Sequence, residues 1–163
     1  AVRHDNGAGG KSALRLRLLA VTIALIVVAV DQLTKVWAQH ALASGQIVVI
    51  DGVLNLRLVY NTGASFSLFA EGGAIIGFVV IGIVVMIFFA LRDAGRRLDA
   101  IALGLILGGA VGNLLDRVLR GSGLLDGAVV DFIQVPFFAT LNGADIAINV
   151  GVALLLVGAF VRR

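Results

Sequence analysis

Cysteine is absent from this 163-residue chain. Disulfides, thiol catalysis, iron–sulfur clusters and cysteine zinc sites are therefore excluded. Histidine occurs only as His4 and His40, too few for a haem or a histidine-rich metal site. Charge is also scarce, at 14% of residues against about a quarter in a soluble domain. Aromatic residues make up 7% and basic residues form no continuous run, so the pI of about 10.2 does not imply a nucleic-acid partner. What remains is apolar: 60% hydrophobic residues and a mean hydropathy of +1.05. Residues 1–163 read as a single integral membrane domain, with no metal or cofactor expected. Residues 1–13 are expected to form a flexible cytoplasmic N-terminus, and an initiator methionine is expected upstream of Ala1. No internal repeat or disordered linker is evident.

Four apolar runs stand out, roughly Leu18–Trp37, Gly72–Leu91, Ala100–Leu115 and Ile146–Val161. About 20 helical residues cross a hydrocarbon core of about 30 Å. Only the second run reaches that length without a charge. The first is uncharged for 13 residues before Asp31, the third for 16 before Asp116, and the fourth for 16 after Asp145. These acids are thus expected just inside one face of a bilayer.

The basic residues identify that face. Nine of the 13 Lys and Arg lie on the other side: Arg3, Lys11, Arg15 and Arg17, then Arg92, Arg96 and Arg97, then Arg162 and Arg163. The positive-inside rule then predicts both termini in the cytoplasm and the acids outside. A cleavable signal peptide ending at Ala41-Leu42-Ala43 is the rival reading of the first run. The polar block Asp31–Lys35 between the apolar core and that site argues against it.

Between the first two runs lies "GQIVVIDGVLNLRLVYNTGASFS". Asp51-Gly52 flanked by β-branched residues predicts a hairpin with a type I′ turn. Leu54, Leu56, Leu58 and Tyr60 alternate with Asn55, Arg57, Val59 and Asn61, which predicts a strand with one apolar face docked on helices or lipid.

Polar residues concentrate in five short blocks. "DQLTK" sets Asp31 and Lys35 one helical turn apart, acid first, as an ion pair prefers. "YNTGASFSLF" supplies Asn61, Gly63, Ser65 and Ser67, readable also as a plain loop. "GGAVGNLLDR" carries a close-packing glycine face, Gly108, Gly109 and Gly112. Its end clusters Asn113, Asp116 and Arg117, with Asp116 and Arg117 expected as a salt-bridged structural element. "AVVDFIQVPFF" and "LNGADIAIN" hold Asp131 and Asp145, neither with a Lys or Arg within four residues. Two unpaired carboxylates near an apolar layer suit acid–base chemistry, since desolvation and mutual repulsion raise one pKa. The plainer alternative makes Asp145 a helix cap and Asp131 a solvated loop acid.

In this order and across four spans, "DQLTK", "NTGASFS", "GGAVGNLLDR", "VVDFI" and "NGADIAI" resemble the blocks of the lipoprotein signal peptidases (signal peptidase II). The resemblance covers roughly residues 14–161. It implies an all-α membrane protein, a bundle of four transmembrane helices with a small extracytoplasmic β-cradle between helices 1 and 2. It also implies an aspartic endopeptidase of the bacterial cytoplasmic membrane that cuts diacylglyceryl-prolipoproteins before the lipidated cysteine. By that resemblance Asp131 and Asp145 are the catalytic pair. Asp31, Lys35, Asn61, Gly63, Asn113, Asp116, Arg117 and Asn142 match the polar positions that shape and support the site. A lipidated substrate, membrane lipid, no nucleic acid and a monomeric state are the corresponding partner expectations. The chain departs from the family in Leu141, where Phe usually precedes the final Asn, and in the long stretch "LRGSGLLDGAV" before Asp131.

Two other classes use the same residues. A serine-type membrane peptidase could pair Ser65 or Ser67 with Lys35 as base, and labelling by a fluorophosphonate would favour it. A channel or transporter subunit could use the acids as an ion path, and ion flux without cleavage would favour that.

Overall fold

A helix of 35 residues, α1 (Gly7–Ala41), opens the computed structural model, whose described residues are 7–63 and 72–161. From Lys11 to Ser44 the sequence has neither Gly nor Pro. In lipid each backbone polar group must be satisfied within the chain, which leaves the helix as the outcome for such a run. At 1.5 Å per residue α1 is about 52 Å long, well beyond a hydrocarbon core of about 30 Å. It begins at Gly7, inside the stretch expected to be flexible. Next come strands β1 (Ile47–Ile50) and β2 (Leu54–Asn61), helices α2 (Gly72–Ala90) and α3 (Arg97–Leu119), strand β3 (Val129–Gln134) and helix α4 (Gly143–Phe160).

Helix α3 is the centre of the helical layer, packed against α1, α2 and α4. Its glycines set those approaches. A methyl group on Gly108 would lie 2.7 Å from the Ala24 carbonyl oxygen of α1, and one on Gly109 would collide with the Ala144 carbonyl of α4. Gly112 faces the Asp31 carboxylate. The expected glycine face is therefore real, and it serves two neighbours at once. On α1 the buried residues Ala20, Ala24, Asp31, Lys35 and Ala38 make one stripe at helical spacing towards α3.

Among the described residues, three helical segments are long and apolar enough to cross a membrane: Gly10–Ala41, Arg97–Leu119 and Gly143–Phe160. The apolar segment Ile75–Ala90 of α2 is shorter. The described residues are thus mostly helical, with three to four apolar helices and one small sheet.

That sheet is antiparallel with strand order β1-β2-β3. The hairpin forms where expected, but its turn differs. Val53 N–H donates to the Ile50 carbonyl at 3.0 Å, and of the central residues only Gly52 has positive φ, at 69°. A type I′ turn needs positive φ at both, which Asp51 does not adopt. The apolar face of β2 docks as predicted: Leu56 and Leu58 join Ile133 and Phe132 against Ala38 of α1 and Leu42 just beyond its end. Phe132 also meets Trp37 edge-to-face, with ring centroids 6.2 Å apart. Strand β3 was not anticipated as a strand. Its pairing of Asp131 with Val59 and of Val129 with Asn61 brings the "VVDFI" block against "YN".

Candidate active site

Lys35 is the centre from which the site builds. It sits fully buried on α1, its ammonium 2.8 Å from Asp31 and 2.9 Å from Asp116 of α3, and it donates to Asn113 Oδ1 at 3.0 Å. The predicted Asp31–Lys35 pair is present, and a second carboxylate completes it. A buried ammonium has three donors to satisfy, and here all three find acceptors.

The two partner acids each hold another element. Asp31 Oδ1 accepts from the Ala144 N–H at 2.9 Å, in the first turn of α4, where backbone donors lack helical partners and favour a negative charge. Asp116 Oδ2 accepts from the Val130 N–H at 3.1 Å and so pins β3 to α3. The expected Asp116–Arg117 bridge does not form. Adjacent residues on a helix point about 100° apart, so Asp116 meets its i+4 neighbour Arg120 at 3.0 Å instead. Arg117 lies buried, and among the described residues its Nε and Nη1 have no hydrogen-bond partner.

Asp131 and Asp145 are brought together through asparagines. Asp131 is buried in β3, not solvated in a loop, and accepts from Asn61 Nδ2 at 3.0 Å and Asn142 Nδ2 at 2.7 Å. Asn61 is itself oriented by the Gly63 N–H, 2.9 Å from its Oδ1, with Gly63 at φ 80°. That left-handed conformation favours glycine. Asp145 accepts from Asn113 Nδ2 at 2.9 Å and from the Asn142 N–H at 3.1 Å. Asn142 is the N-cap of α4 and Asp145 its third residue, so the two form a capping box. The capping reading of Asp145 is therefore correct as far as it goes. The cap also carries the carboxylate to the site, because Asn142 Nδ2 reaches both Asp131 and Asn113 Oδ1.

Burial pushes the Asp131 carboxyl from an ordinary 3.8 up to about 6. The Asn61 hydrogen bond opposes that rise, and the Asp145 charge adds to it. Asp131 also lines an open cavity of about 260 Å³, whose other walls are Val59, Tyr60, Asn61, Thr62, Ala139 and Thr140. The catalytic candidate is thus reachable from outside the protein. The long stretch before β3 folds back on α3, with the Gly127 N–H donating to the Arg117 carbonyl at 3.0 Å. Its length leaves Asp131 in register.

Sequence reasoning missed three participants. Gln32 Nε2 donates within 3.2 Å to Asp31, to Asp116 and to the Gly112 carbonyl. Arg120 Nη1 donates to Gln39 Oε1 at 3.1 Å, and Gln39 Nε2 reaches the Tyr60 hydroxyl at 3.2 Å. Arg120 could have been found from its i+4 spacing after Asp116. Ser65 and Ser67 lie outside the described residues. Lys35, the base a serine mechanism would need, has its three donors committed elsewhere.

The chain matches the family model described as signal peptidase (SPase) II over residues 23–161. A lipoprotein signal peptidase of Rhodococcus jostii (strain RHA1) is 40% identical over 142 residues, covering 86% of this chain and 72% of that protein. One from Mycobacterium avium (strain 104) is 45% identical over 148 residues, covering 88% and 78%. A solved structure described as a bacterial membrane enzyme, determined by the in meso method at 1.9 Å resolution, superposes with a TM-score of 0.73 at 27% identity. That match covers 86% of this chain and 91% of the other.

Proposed function

This chain belongs to the signal peptidase II family, and from that premise we propose that it removes the signal peptide of diacylglyceryl-prolipoproteins with Asp131 and Asp145 as its catalytic pair. Members of the family are proteases, and the apolar helices accord with a multi-pass bacterial membrane protein. The observation that carries the residue assignment is Asn142, which donates to both carboxylates and ties them into one unit beside an open cavity.

The chemistry follows from charge. Four carboxylates, Asp31, Asp116, Asp131 and Asp145, share the site with three cations, Lys35, Arg117 and Arg120. One proton on the Asp131–Asp145 pair brings the group to neutrality. A pair holding one proton has an ionised member to take a proton from water and a protonated member to donate to the scissile carbonyl. Water oxygen bonds to the carbonyl carbon, giving a tetrahedral diol. Its collapse breaks the C–N bond while a carboxyl protonates the departing amine. The roles of base and acid belong to the coupled pair.

Asp31, Lys35, Asp116 and Asn113 act as support: they hold α1, α3, α4 and β3 around the pair. Asn61, Gly63 and Asn142 orient the carboxylates, and Arg117 completes the polar wall. On this reading there are four spans, with both termini in the cytoplasm and the pair near the outer face, and the nine basic residues on the opposite side support it. The substrate's own lipid anchor then holds its scissile bond at that depth. One chain supplies both carboxylates, so a monomer suffices.

The test uses purified protein in detergent with two substrates, a prolipoprotein carrying diacylglyceryl-cysteine and the same proprotein without lipid. Release of the signal peptide from the first and not the second is expected. Comparable cleavage of the unlipidated form would overturn anchor-guided positioning.

A further inference from the structure

Beyond β3 the chain makes a short excursion before Leu141 returns to pair with Ile133. Its tip carries Phe137 and Phe138, 104% and 76% exposed. Phe137 has φ 68°, a region that bulky side chains rarely occupy. The Phe138 N–H donates to the Val135 carbonyl at 3.1 Å, and Pro136 has its φ locked by its ring. The turn is thereby closed with both rings outward, although apolar rings in water favour burial.

Two features of the fold identify the cover. Antiparallel pairing sets Gln134 opposite Asn55, so the tip shares its end of the sheet with the β1–β2 turn, where Ile50 and Val53 are also exposed. Helix α4 begins at Gly143, just after the excursion, and presents Ile146 and Val150 outward. The exposed rings thus stand in the chain just ahead of the outward apolar residues of a helix long and apolar enough to cross a membrane.

We propose that Phe137 and Phe138 form an interfacial anchor seated in the lipid leaflet at the boundary of acyl chains and headgroups. Trp and Tyr concentrate at that level in membrane proteins, and interfacial segments bury Phe at the headgroup–acyl boundary. The residues that follow them, Ala139 and Thr140, are walls of the cavity beside Asp131. The anchor thus sets the depth of the cavity mouth relative to the bilayer. This positioning role rests on the catalytic reading of Asp131, whereas the lipid contact does not.

Trp37 is the sole tryptophan, so a Trp37→Phe background carrying Phe138→Trp gives one reporter at the tip. The protein is reconstituted in phosphatidylcholine–phosphatidylglycerol vesicles containing lipids brominated at shallow or deep acyl positions. Blue-shifted emission, quenched more by shallow than by deep bromine and little by aqueous iodide, is expected. Water-like emission with strong iodide quenching would overturn the proposal. Blue-shifted emission insensitive to both quenchers would also overturn it, in favour of cover by protein such as a second copy. Phe137→Trp is read in the same way if the first variant does not fold. Adding Asp131→Asn should leave the quenching unchanged, which separates this result from the fate of the catalytic assignment. For the positioning role, Phe137→Ser with Phe138→Ser should raise KM several-fold for lipidated substrate in vesicles and leave kcat alone. An unchanged KM would remove that role.

Discussion

Asn142 Nδ2 stands 2.7 Å from Asp131 Oδ1, joining the start of α4 to β3 across the site. The same side chain's Oδ1 accepts from the Asp145 backbone N–H at 2.9 Å, so losing the side chain should disturb the placement of both carboxylates together. A hydrogen bond to a charged group contributes about 1.5–3 kcal/mol, or roughly 10- to 150-fold in rate. Asn142→Ala should lower kcat by that order while the protein stays folded, with about 1 kcal/mol lost from the helix cap. Steady-state kinetics beside thermal unfolding in detergent would check it; unaltered kcat would count against the bridging role.

Asp131→Asn and Asp145→Asn should each reduce turnover by roughly 10²–10⁴-fold or more, the range for losing a general acid–base group. Their losses should not add, because the pair acts as one unit. Asp116→Asn is the control. Its carboxylate holds Lys35, Arg120 and the Val130 N–H, so it should harm stability more than chemistry. Substantial turnover by either Asp131→Asn or Asp145→Asn would refute the pair.

The raised Asp131 pKa gives the pH profile a direction. Burial, with the negative charge of Asp145 adding to it, holds the proton on Asp131 up to about 6, so the pair loses a proton donor as pH rises through that value. For the free enzyme, kcat/KM should fall as pH increases through about 6. Asn61 stabilises the ionised form. Asn61→Ala should therefore move the alkaline limb to higher pH, and a limb that stayed or moved lower would contradict this.

Lys35→Met leaves Asp31 without a cation and Asp116 with Arg120 alone. Breaking a buried pair costs about 3–5 kcal/mol, which should appear as a marked loss of thermal stability in detergent. Adding Asp31→Leu should restore only part of it, because Asp116 remains underpaired and the Ala144 N–H loses its acceptor. Equal melting of Lys35→Met and wild type would disprove the central role of the ammonium.

The sequence by itself determined whatever depends on near neighbours. Long apolar runs must satisfy their backbone internally, so they are helices in lipid, and their place in the chain is plain without coordinates. Asp31 and Lys35 are one turn apart, and any helix there brings them together. Gly108, Gly109 and Gly112 cannot hold neighbouring helices away. The five polar blocks also hold most of the residues that meet at the site, though not Gln39 or Arg120.

Only the tertiary structure decided how those residues combine. Lys35 and Asp116 lie on different helices, and no local spacing encodes their pairing, whereas the i+4 contact of Asp116 with Arg120 is local. Asp131 became a buried strand residue because β3 pairs with β2, a segment 70 residues away. Asn142, readable as a helix cap, became the link between two carboxylates because α4 begins where β3, β2 and α3 converge. Periodicity records which face of an element is apolar. It does not record which polar groups from distant segments will share one proton in a desolvated space, because that depends on how the elements pack.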